Sequence, residues 1–482
     1  MKILLASSEA FPYSKSGGLA DMVGALAKFL ARNGHEVGLV TPLYRGIRER
    51  FPAMERFDWR LSFPMGFSWV EGSVWKLVNG GGLVIYFIDQ PHYFDRPGLY
   101  NFNGADYADN AERFIFFNKA VVNLMRYLPW EPQLLHIHDW QTGLAPLMML
   151  HQKMCEGWST MPPVCLTIHN LAYQGVFEGS QYGLTNLPMD YFQPRGAEFF
   201  GNLNFLKTGI AYSNIITTVS PRYAREITTE HYGCGLDGIL RERQSSLTGI
   251  LNGVDYDEWR TVDNPCLPES YTVDDLTGKA EIKRFLQQEL HLPIRPDVPL
   301  FGTVGRLAAQ KGVEIQLAAL EEMLSADIQF VLLGSGEKEW ERGYRRLMER
   351  YPNKCSVRLV FDHSLSHRIE AASDFFLMPS SFEPCGLNQM YSLRYGTIPI
   401  VRVTGGLDDS VTDISEDVDL ADGIKFEEYS ARALSRAIRK AIVLYEDKEL
   451  LSHYRHNAMK KDFSWDRTAT AYETIYRRVV AG

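Results

Sequence analysis

Two cationic side chains, Arg306 and Lys311, lie five residues apart between Gly305 and Gly312, directly after an apolar run at 300–304. In open α/β folds, ligands bind in the loops that follow the carboxyl ends of the strands. The spacing therefore allows both cations to converge on one anionic group. The alternative is that both are solvated surface cations, which is the usual situation of Arg and Lys.

Two glycine pairs each stand between an apolar run and a predicted helix. The sequence KSGGLAD runs from Lys15 to Asp21, and the related TGGLDD begins at Thr404. A helix N-terminus offers free backbone N–H groups, and glycine lets an anionic oxygen approach them closely. The pairs Gly17–Gly18 and Gly405–Gly406 thus predict cradles for a phosphate or a sugar hydroxyl. A tight connection without a ligand is the alternative for each pair.

A carboxylate follows a third apolar run. Glu383 precedes Pro384, which favours an extended backbone and lets the side chain reach toward a ligand. A carboxylate at the start of a helix is the alternative interpretation. Cys385 is expected to be a small packing residue, because no histidine stands near it in the sequence.

Histidines mark the ends of two runs in the first half. His136, His138 and Asp139 close one run, and His169 closes the next. These four residues include metal-ligand types, but no further spacing supports a metal. We therefore expect polar residues that line a cleft.

Short apolar runs alternate with helical patterns along the whole chain, which indicates parallel sheets covered by helices on both faces. A dozen strands exceed one comfortable doubly wound sheet, so two sheets are predicted. The predicted strands beyond the first, at 2–6, are 37–41, 84–89, 134–138, 164–169, 215–220, 249–254, 300–304, 330–334, 358–362, 375–379 and 398–403. Two helices are also distinct, at 20–33 and 465–479.

The chain of 482 residues is long enough for two domains. A Pro-rich stretch at 252–299 predicts the boundary. A net charge of −9 argues against nucleic acid or an anionic membrane as a partner. Six scattered cysteines without a CxxC pair favour reduced thiols in a cytoplasm. No signal peptide or membrane helix is evident.

With these residues in view, the chain resembles the bacterial glycogen (starch) synthases over nearly its whole length. These are retaining glucosyltransferases of the GT-B class, which have two facing Rossmann-like domains and a deep cleft between them. The matching stretches are KSGGLADMVGALAK at 15–28, DRPGLY at 95–100, HDWQTGLAP at 138–146, TIHNLAYQG at 167–175, NFLKTGIAYSNIITTVSPRYAREI at 204–227, ILNGVDYDEW at 250–259, GRLAAQKG at 305–312, SFEPCGLNQMYSLRYG at 381–396 and TGGLDDSV at 404–411.

The resemblance implies an N-terminal domain at 1–252, a nucleotide-sugar domain at 253–460 and a C-terminal helix at 461–482 that crosses back to the first domain. It implies transfer of glucose from ADP-glucose to the non-reducing 4-hydroxyl end of an α-1,4-glucan such as glycogen, with release of ADP. No metal or other cofactor is expected, because cations and backbone N–H groups stabilise the leaving diphosphate.

The resemblance also implies roles for individual residues. Arg306 and Lys311 resemble the pair that grips the distal phosphate, and Glu383 resembles the carboxylate that faces the glucose. His169 and Asp139 resemble residues beside the anomeric carbon. The implied substrate-binding set is Lys15, Gly17, Gly18, Asp21, Asn252, Cys385, Gly386, Leu387, Thr404, Gly405 and Gly406.

At two positions this sequence departs from the pattern of its relatives, and both departures concern the preference for the base of the nucleotide-sugar donor. Gln141 stands where many relatives have His, and Phe94 stands where some have a Tyr that stacks near the donor. Three other functions compete with the synthase reading: an idle glucan-binding paralogue, a related enzyme using UDP-glucose or another acceptor, and a nicotinamide oxidoreductase. The missing Gly-x-Gly-x-x-Gly fingerprint weighs against the last.

Overall fold

The computed structural model describes residues 1–158 and 160–481. The chain divides into two compact units. Unit 1 comprises 1–219, 224–250 and the chain from Trp465 onward, whereas unit 2 comprises 220–223 and 251–464. Within the described residues, no helix is both long and apolar enough to cross a membrane.

Unit 1 is built on a nine-stranded sheet with the strand order β14-β13-β9-β8-β1-β2-β5-β4-β3. The strands of this unit are β1 (Lys2–Ala6), β2 (Glu36–Pro42), β3 (Glu55–Met65), β4 (Ser68–Asn79), β5 (Leu83–Asp89), β6 (Asn101–Phe102), β7 (Ala105–Asp106), β8 (Leu134–His138), β9 (Val164–Ile168), β10 (Val176–Glu178), β11 (Glu198–Phe199), β12 (Asn202–Asn204), β13 (Ile215–Thr218) and β14 (Leu247–Gly249). The helices before residue 250 are α1 (Gly18–Arg32), α2 (Ile47–Arg50), α3 (Pro91–Phe94), α4 (Asn110–Tyr127), α5 (Ala145–Cys155), α6 (Phe205–Tyr212), α7 (Pro221–Glu226) and α8 (Asp237–Glu242). All of them belong to unit 1 except the first residues of α7, which belong to unit 2.

Unit 2 is built on a six-stranded parallel sheet with the order β17-β16-β15-β18-β19-β20. Its helices are α9 (Thr277–Glu289), α10 (Val313–Met323), α11 (Lys338–Arg350), α12 (His363–Ala372), α13 (Asn388–Arg394), α14 (Gly405–Ser410), α15 (Ala431–Glu446) and α16 (Lys448–Lys460). Its strands are β15 (Leu300–Val304), β16 (Gln329–Leu333), β17 (Cys355–Arg358), β18 (Phe375–Met378), β19 (Ile398–Arg402) and β20 (Ile424–Phe426).

The central strands of both sheets are buried on both faces, as is typical of sheets that helices cover on both sides. All five residues of β8, β9, β16 and β19 are buried. The final helix, α17 (Trp465–Val480), belongs to unit 1. Its Tyr476 hydroxyl lies 2.7 Å from Nδ1 of His136 on β8, and Trp465 stacks against Phe29 of α1.

The structure adds an antiparallel edge that the sequence analysis did not predict. Strands β3 and β4 form a hairpin, and β4 also pairs antiparallel with β5. The alternation of Phe57, Trp59, Leu61 and Phe63 with polar residues is the period of a strand exposed on one face. A search for continuous apolar runs does not detect such a strand.

Two predicted strands are displaced in the structure. The run predicted at 358–362 is wrong, because β17 ends at Arg358 and the Phe361 side chain is 90% exposed. The run predicted at 249–254 is also wrong, since β14 ends at Gly249. In both places the strand begins and ends earlier in the chain than the predicted run, at the residues that pair with the neighbouring strand.

Candidate active site

In unit 2, the loop that contains Lys311 meets the loop that contains Glu383 at the carboxyl ends of the strands. Nζ of Lys311 lies 2.6 Å from Oε2 of Glu383, and the hydroxyl of Ser380 donates to the same oxygen at 3.0 Å. The Glu383 side chain is 8% exposed and that of Lys311 is 30% exposed. The contact joins the loop after β15 to the loop after β18, which are adjacent strands.

Arg306 is the free cation of this group. It follows β15, its side chain is exposed, and no hydrogen bond or ion pair engages its guanidinium within the described chain. Close by in sequence, Gly312 adopts a φ of +70°, and a Cβ there would overlap the carbonyl oxygen of Pro379. The loop is thus fixed by backbone packing, while Arg306 remains available for a phosphate.

The second glycine pair packs against the protein itself. A Cβ on Gly405 would overlap the carbonyl oxygen of Glu383, and one on Gly406 would overlap that of Cys385. The backbone N–H of Gly406 donates to the carbonyl of Glu383 at 3.1 Å. Thr404, which precedes the pair, is fully buried. The glycines therefore hold the Glu383 loop against α14.

Buried polar atoms surround this loop. The Asn252 backbone N–H hydrogen-bonds to the Cys385 thiol, and burial raises the pKa of that thiol to about 12. Oδ1 of Asn252 is buried and has no hydrogen-bond partner among the described residues. An orphaned buried acceptor is costly unless a ligand pairs with it. Gly386 has a φ of +70°, and Leu387 precedes the first residue of α13.

The first glycine pair has different surroundings. Lys15 and Asp21 form an exposed ion pair of 2.7 Å across the loop. Burial raises the pKa of Asp21, and Lys15 opposes that shift. Apart from the neighbouring residues in the chain and the backbone of α1 itself, no described residue has a heavy atom within 4 Å of a Cβ built on Gly17 or Gly18. The space beside this turn is open, as a ligand cradle requires.

Glu9 organises this turn and was missed in the sequence analysis. Its carboxylate accepts hydrogen bonds from the backbone N–H groups of Ser16 and Gly17, from the Ser16 hydroxyl at 2.8 Å and from the Tyr100 hydroxyl at 2.9 Å. It is 3% exposed, and burial raises its pKa against those hydrogen bonds. A charged residue just after a buried strand is the signal that identifies such a position.

The different surroundings of the two glycine pairs predict different effects of alanine substitution. Gly18→Ala should leave the free energy of unfolding unchanged or raise it by up to about 1 kcal/mol, because alanine favours a helix. It should lower kcat/KM by about ten- to a hundredfold, as expected when one charged hydrogen bond is blocked. Gly405→Ala should instead destabilise the protein by about 1–3 kcal/mol through overpacking. Urea unfolding and initial rates test both variants, and equal stability losses would contradict the assignment.

The polar cluster of unit 1 is joined through the backbone. Oδ1 of Asp139 accepts the N–H of His169 at 2.7 Å, and Nε2 of His169 lies 3.1 Å from Nδ1 of His138. Burial lowers the pKa of His169 to about 3. Asp139 has a φ of +53°, a strained conformation that often marks functional sites. His169 is therefore a neutral, firmly held imidazole, and Asp139 positions its backbone.

Asp139 should make stability depend on pH. Burial raises its pKa to about 7, against hydrogen bonds from the His169 and Asn170 backbone that lower it. The folded protein then binds a proton that the unfolded chain releases near pH 4, so stability is lost as pH rises from about 4 to about 7. Asp139→Asn keeps an acceptor oxygen and tolerates positive φ.

The stability of the wild-type protein relative to Asp139→Asn should therefore fall across that window, by up to about 1.4 kcal/mol per pH unit. Urea unfolding at several pH values measures it. Asp297→Asn is the control, because Arg295 lowers the pKa of Asp297 to about 2, outside the window. A difference between wild type and Asp139→Asn that is independent of pH would refute the assignment.

The two residues that depart from the pattern of the relatives, Phe94 and Gln141, lie in the interior of unit 1. Phe94 is fully buried and packs edge-on against Tyr44 and Phe117. The Phe94 ring therefore has no surface to offer a ligand, and its effect on the donor base stays a prediction. Gln141 is 5% exposed, and its backbone carbonyl oxygen accepts a hydrogen bond from the Asn118 side chain.

The sequence comparisons agree with this arrangement. The model of the starch synthase catalytic domain matches residues 2–242, and that of glycosyl transferases group 1 matches 287–461. A glycogen synthase of Anaeromyxobacter sp. (strain Fw109-5) is 45% identical over 100% of both chains. Glycogen synthase 1 of Geobacter metallireducens is 43% identical over 100% of this chain and 96% of its own length.

Solved structures give the same result. The catalytic domain of starch synthase IV from Arabidopsis thaliana, bound to ADP and acarbose, superimposes with a TM-score of 0.89 and 33% identity, over 100% of this chain and 99% of that one. A sucrose-phosphate synthase from Thermosynechococcus elongatus, at 17% identity and a TM-score of 0.62 over 99% of both chains, shares the fold.

Two Rossmann-like units with cations and a carboxylate at the strand ends, together with these matches, define a glycosyltransferase of the GT-B class. Within that class, the chain belongs to the glycogen synthase family.

Proposed function

We propose that this protein transfers glucose from ADP-glucose to the non-reducing 4-hydroxyl of an α-1,4-glucan, with retention of configuration and release of ADP. The observation that carries the proposal is the cluster of Arg306, Lys311 and Glu383 at the strand ends of unit 2. Two cations with one carboxylate match a diphosphate joined to a sugar. The family relatives named glycogen synthase support the reaction.

Unit 2 binds the donor in this proposal. Arg306 and Lys311 hold the distal phosphate, and Glu383 accepts from hydroxyls of the glucose. The backbone at 385–387 and the turn at 404–406 line the same site, and Asn252 offers its orphaned Oδ1 to a donor group of the ligand. The relative from Arabidopsis carries ADP, which supports an adenine nucleotide.

Unit 1 supplies a second set of contacts. Lys15, Asp21 and the open turn at Gly17–Gly18 contact phosphate and sugar oxygens, as backbone N–H groups at a helix N-terminus favour anions. His169 is neutral and donates or accepts a hydrogen bond near the anomeric carbon. Asp139 acts through His169, whose backbone it holds.

The difficult step is the growth of negative charge on the departing diphosphate. Preorganised cations and N–H groups lower this barrier, each by about 3–4 kcal/mol. Retention follows from attack on the same face that the diphosphate leaves, with a leaving phosphate oxygen taking the proton of the acceptor hydroxyl. Water must be excluded, because it would hydrolyse the donor.

The acceptor in this proposal is glycogen, and the compartment is the cytoplasm. The six cysteines are free thiols in the structure, which fits a reducing compartment. An acceptor of extended, neutral sugars also suits a chain of net charge −9, which disfavours nucleic acid.

The test is nucleotide release from ADP-glucose and, separately, from UDP-glucose, each with and without glycogen. Release of ADP that depends on glycogen and lengthens the glucan is the expected result. A strong preference for UDP-glucose would overturn the donor and leave the reaction type. No turnover by a folded protein that still binds glycogen would favour the idle paralogue.

A further inference from the structure

A cysteine and two histidines of unit 2 meet away from the proposed donor site. Cys266, His363 and His367 each bring one ligand atom within 4.8 Å of the others. His363 and His367 are four residues apart on α12, a spacing that places both imidazoles on one helix face. No other group of three such residues meets this spacing in the described part of the chain.

His367 has one buried ring nitrogen without a hydrogen-bond partner among the described residues. Its side chain is 1% exposed, and Nε2 is buried with no hydrogen-bond partner in the described structure. Leaving a buried imidazole nitrogen unpaired costs about 1–3 kcal/mol, so such an atom calls for a partner. A cation bound at Nε2 would satisfy it.

The remaining contacts of His367 orient the ring as a metal ligand. Nδ1 lies 2.7 Å from the Tyr395 hydroxyl, which also accepts from the Asn264 side chain at 3.0 Å. The Trp259 ring stacks on the imidazole at a centroid distance of 4.0 Å. Metal-bound histidines usually hold their second nitrogen in this way, which fixes the ring and leaves the other nitrogen for the ion.

A fourth ligand is within reach. Oε1 of Glu258 lies 3.8 Å from Nε2 of His363, and both side chains are about half exposed. The Cys266 thiol is only 3.7 Å from the Ser364 hydroxyl, in an intermediate environment. In a tetrahedral zinc site, sulfur and nitrogen ligands lie about 3.4–3.6 Å apart. The outer side chains are at least partly exposed and can close the remaining distance by rotating, while His367 is held by its ring contacts.

We propose that Cys266, His363 and His367 bind a structural divalent zinc ion, with Glu258 as the fourth ligand. One thiolate, two imidazoles and one carboxylate are the donors that Zn²⁺ prefers. Binding displaces the thiol proton of Cys266, which leaves to solvent.

The site ties an irregular segment to a helix. Residues 250–276 form no helix or strand of their own, apart from an isolated bridge at Val254, although long irregular segments are uncommon in compact domains. Cys266 and Glu258 lie in this segment, and the two histidines lie on α12. The ion therefore stabilises unit 2 and has no part in the transfer chemistry.

The test uses the full chain, treated with a chelator and then titrated with Zn²⁺ against a chromophoric competitor. One ion per chain should bind and raise the unfolding temperature. Cys266→Ser and His363→Gln should each weaken binding more than about a hundredfold, exceeding the usual effect of a residue that only orients a ligand. Both altered side chains are at least partly exposed, so these variants should fold.

Cys155→Ser is the matched control. Sγ of Cys155 lies 3.6 Å from Nδ1 of His151, also four residues away on a helix, but no second histidine completes that pair. This variant should bind Zn²⁺ as the wild type does. Co²⁺ should give a thiolate charge-transfer band that Cys266→Ser lacks. Substoichiometric zinc binding, or an unchanged affinity in Cys266→Ser, would overturn the site whatever the transferase activity.

Discussion

Replacing Arg306 with alanine should lower kcat by at least about a hundredfold and leave the unfolding transition unchanged. The exposed guanidinium makes no hydrogen bond or ion pair in the described structure, so the folded protein loses nothing with it. The transition state loses a preorganised cation beside the departing diphosphate, which costs about 3–4 kcal/mol. The initial rate of ADP release with saturating ADP-glucose and glycogen measures the effect.

Arg345→Ala is the matched control for this variant. Arg345 is an exposed arginine on α11 of the same unit, and it follows no strand end. Its removal should change neither kcat nor stability. A folded Arg306→Ala protein with near-normal kcat would remove Arg306 from the leaving-group site.

The sequence predicted the strand ends well because the signal is local. Buried parallel strands must be apolar on both faces, and the loops that follow them contain the charged residues. The strand predicted at 300–304 is β15, and both cations follow its carboxyl end. The meeting of Lys311 with Glu383 follows from the adjacency of β15 and β18, which the sequence analysis did not predict.

Contacts between distant residues limit what sequence can predict. The role of Gly405 depends on a carbonyl of Glu383, and the role of Glu9 depends on two N–H groups seven or more residues away. The cluster of Cys266 and His363 joins residues nearly a hundred positions apart. No periodicity encodes such a pairing, because it is set by how the strands and helices pack.

The second prediction with a large expected effect on kcat and stability concerns the ion pair between Lys311 and Glu383. Lys311→Gln, Glu383→Gln and the double variant should each lower kcat by at least about a hundredfold, since in the proposed mechanism the pair binds the donor. Their stabilities should differ. Glu383 is 8% exposed, so loss of Lys311 strands a buried carboxylate and should cost about 3 kcal/mol. Lys311 is 30% exposed and can turn to water, so Glu383→Gln should cost less.

The double variant separates stability from catalysis. Without a charge at either position, no ion remains buried, so the double variant should regain most of the stability that Lys311→Gln loses. Its kcat should stay as low as that of the single variants, because the cation and the carboxylate are both absent. Urea unfolding and ADP release on the three proteins test this. If activity returned together with stability, the pair would serve the fold of the Glu383 loop, and its catalytic assignment would be wrong.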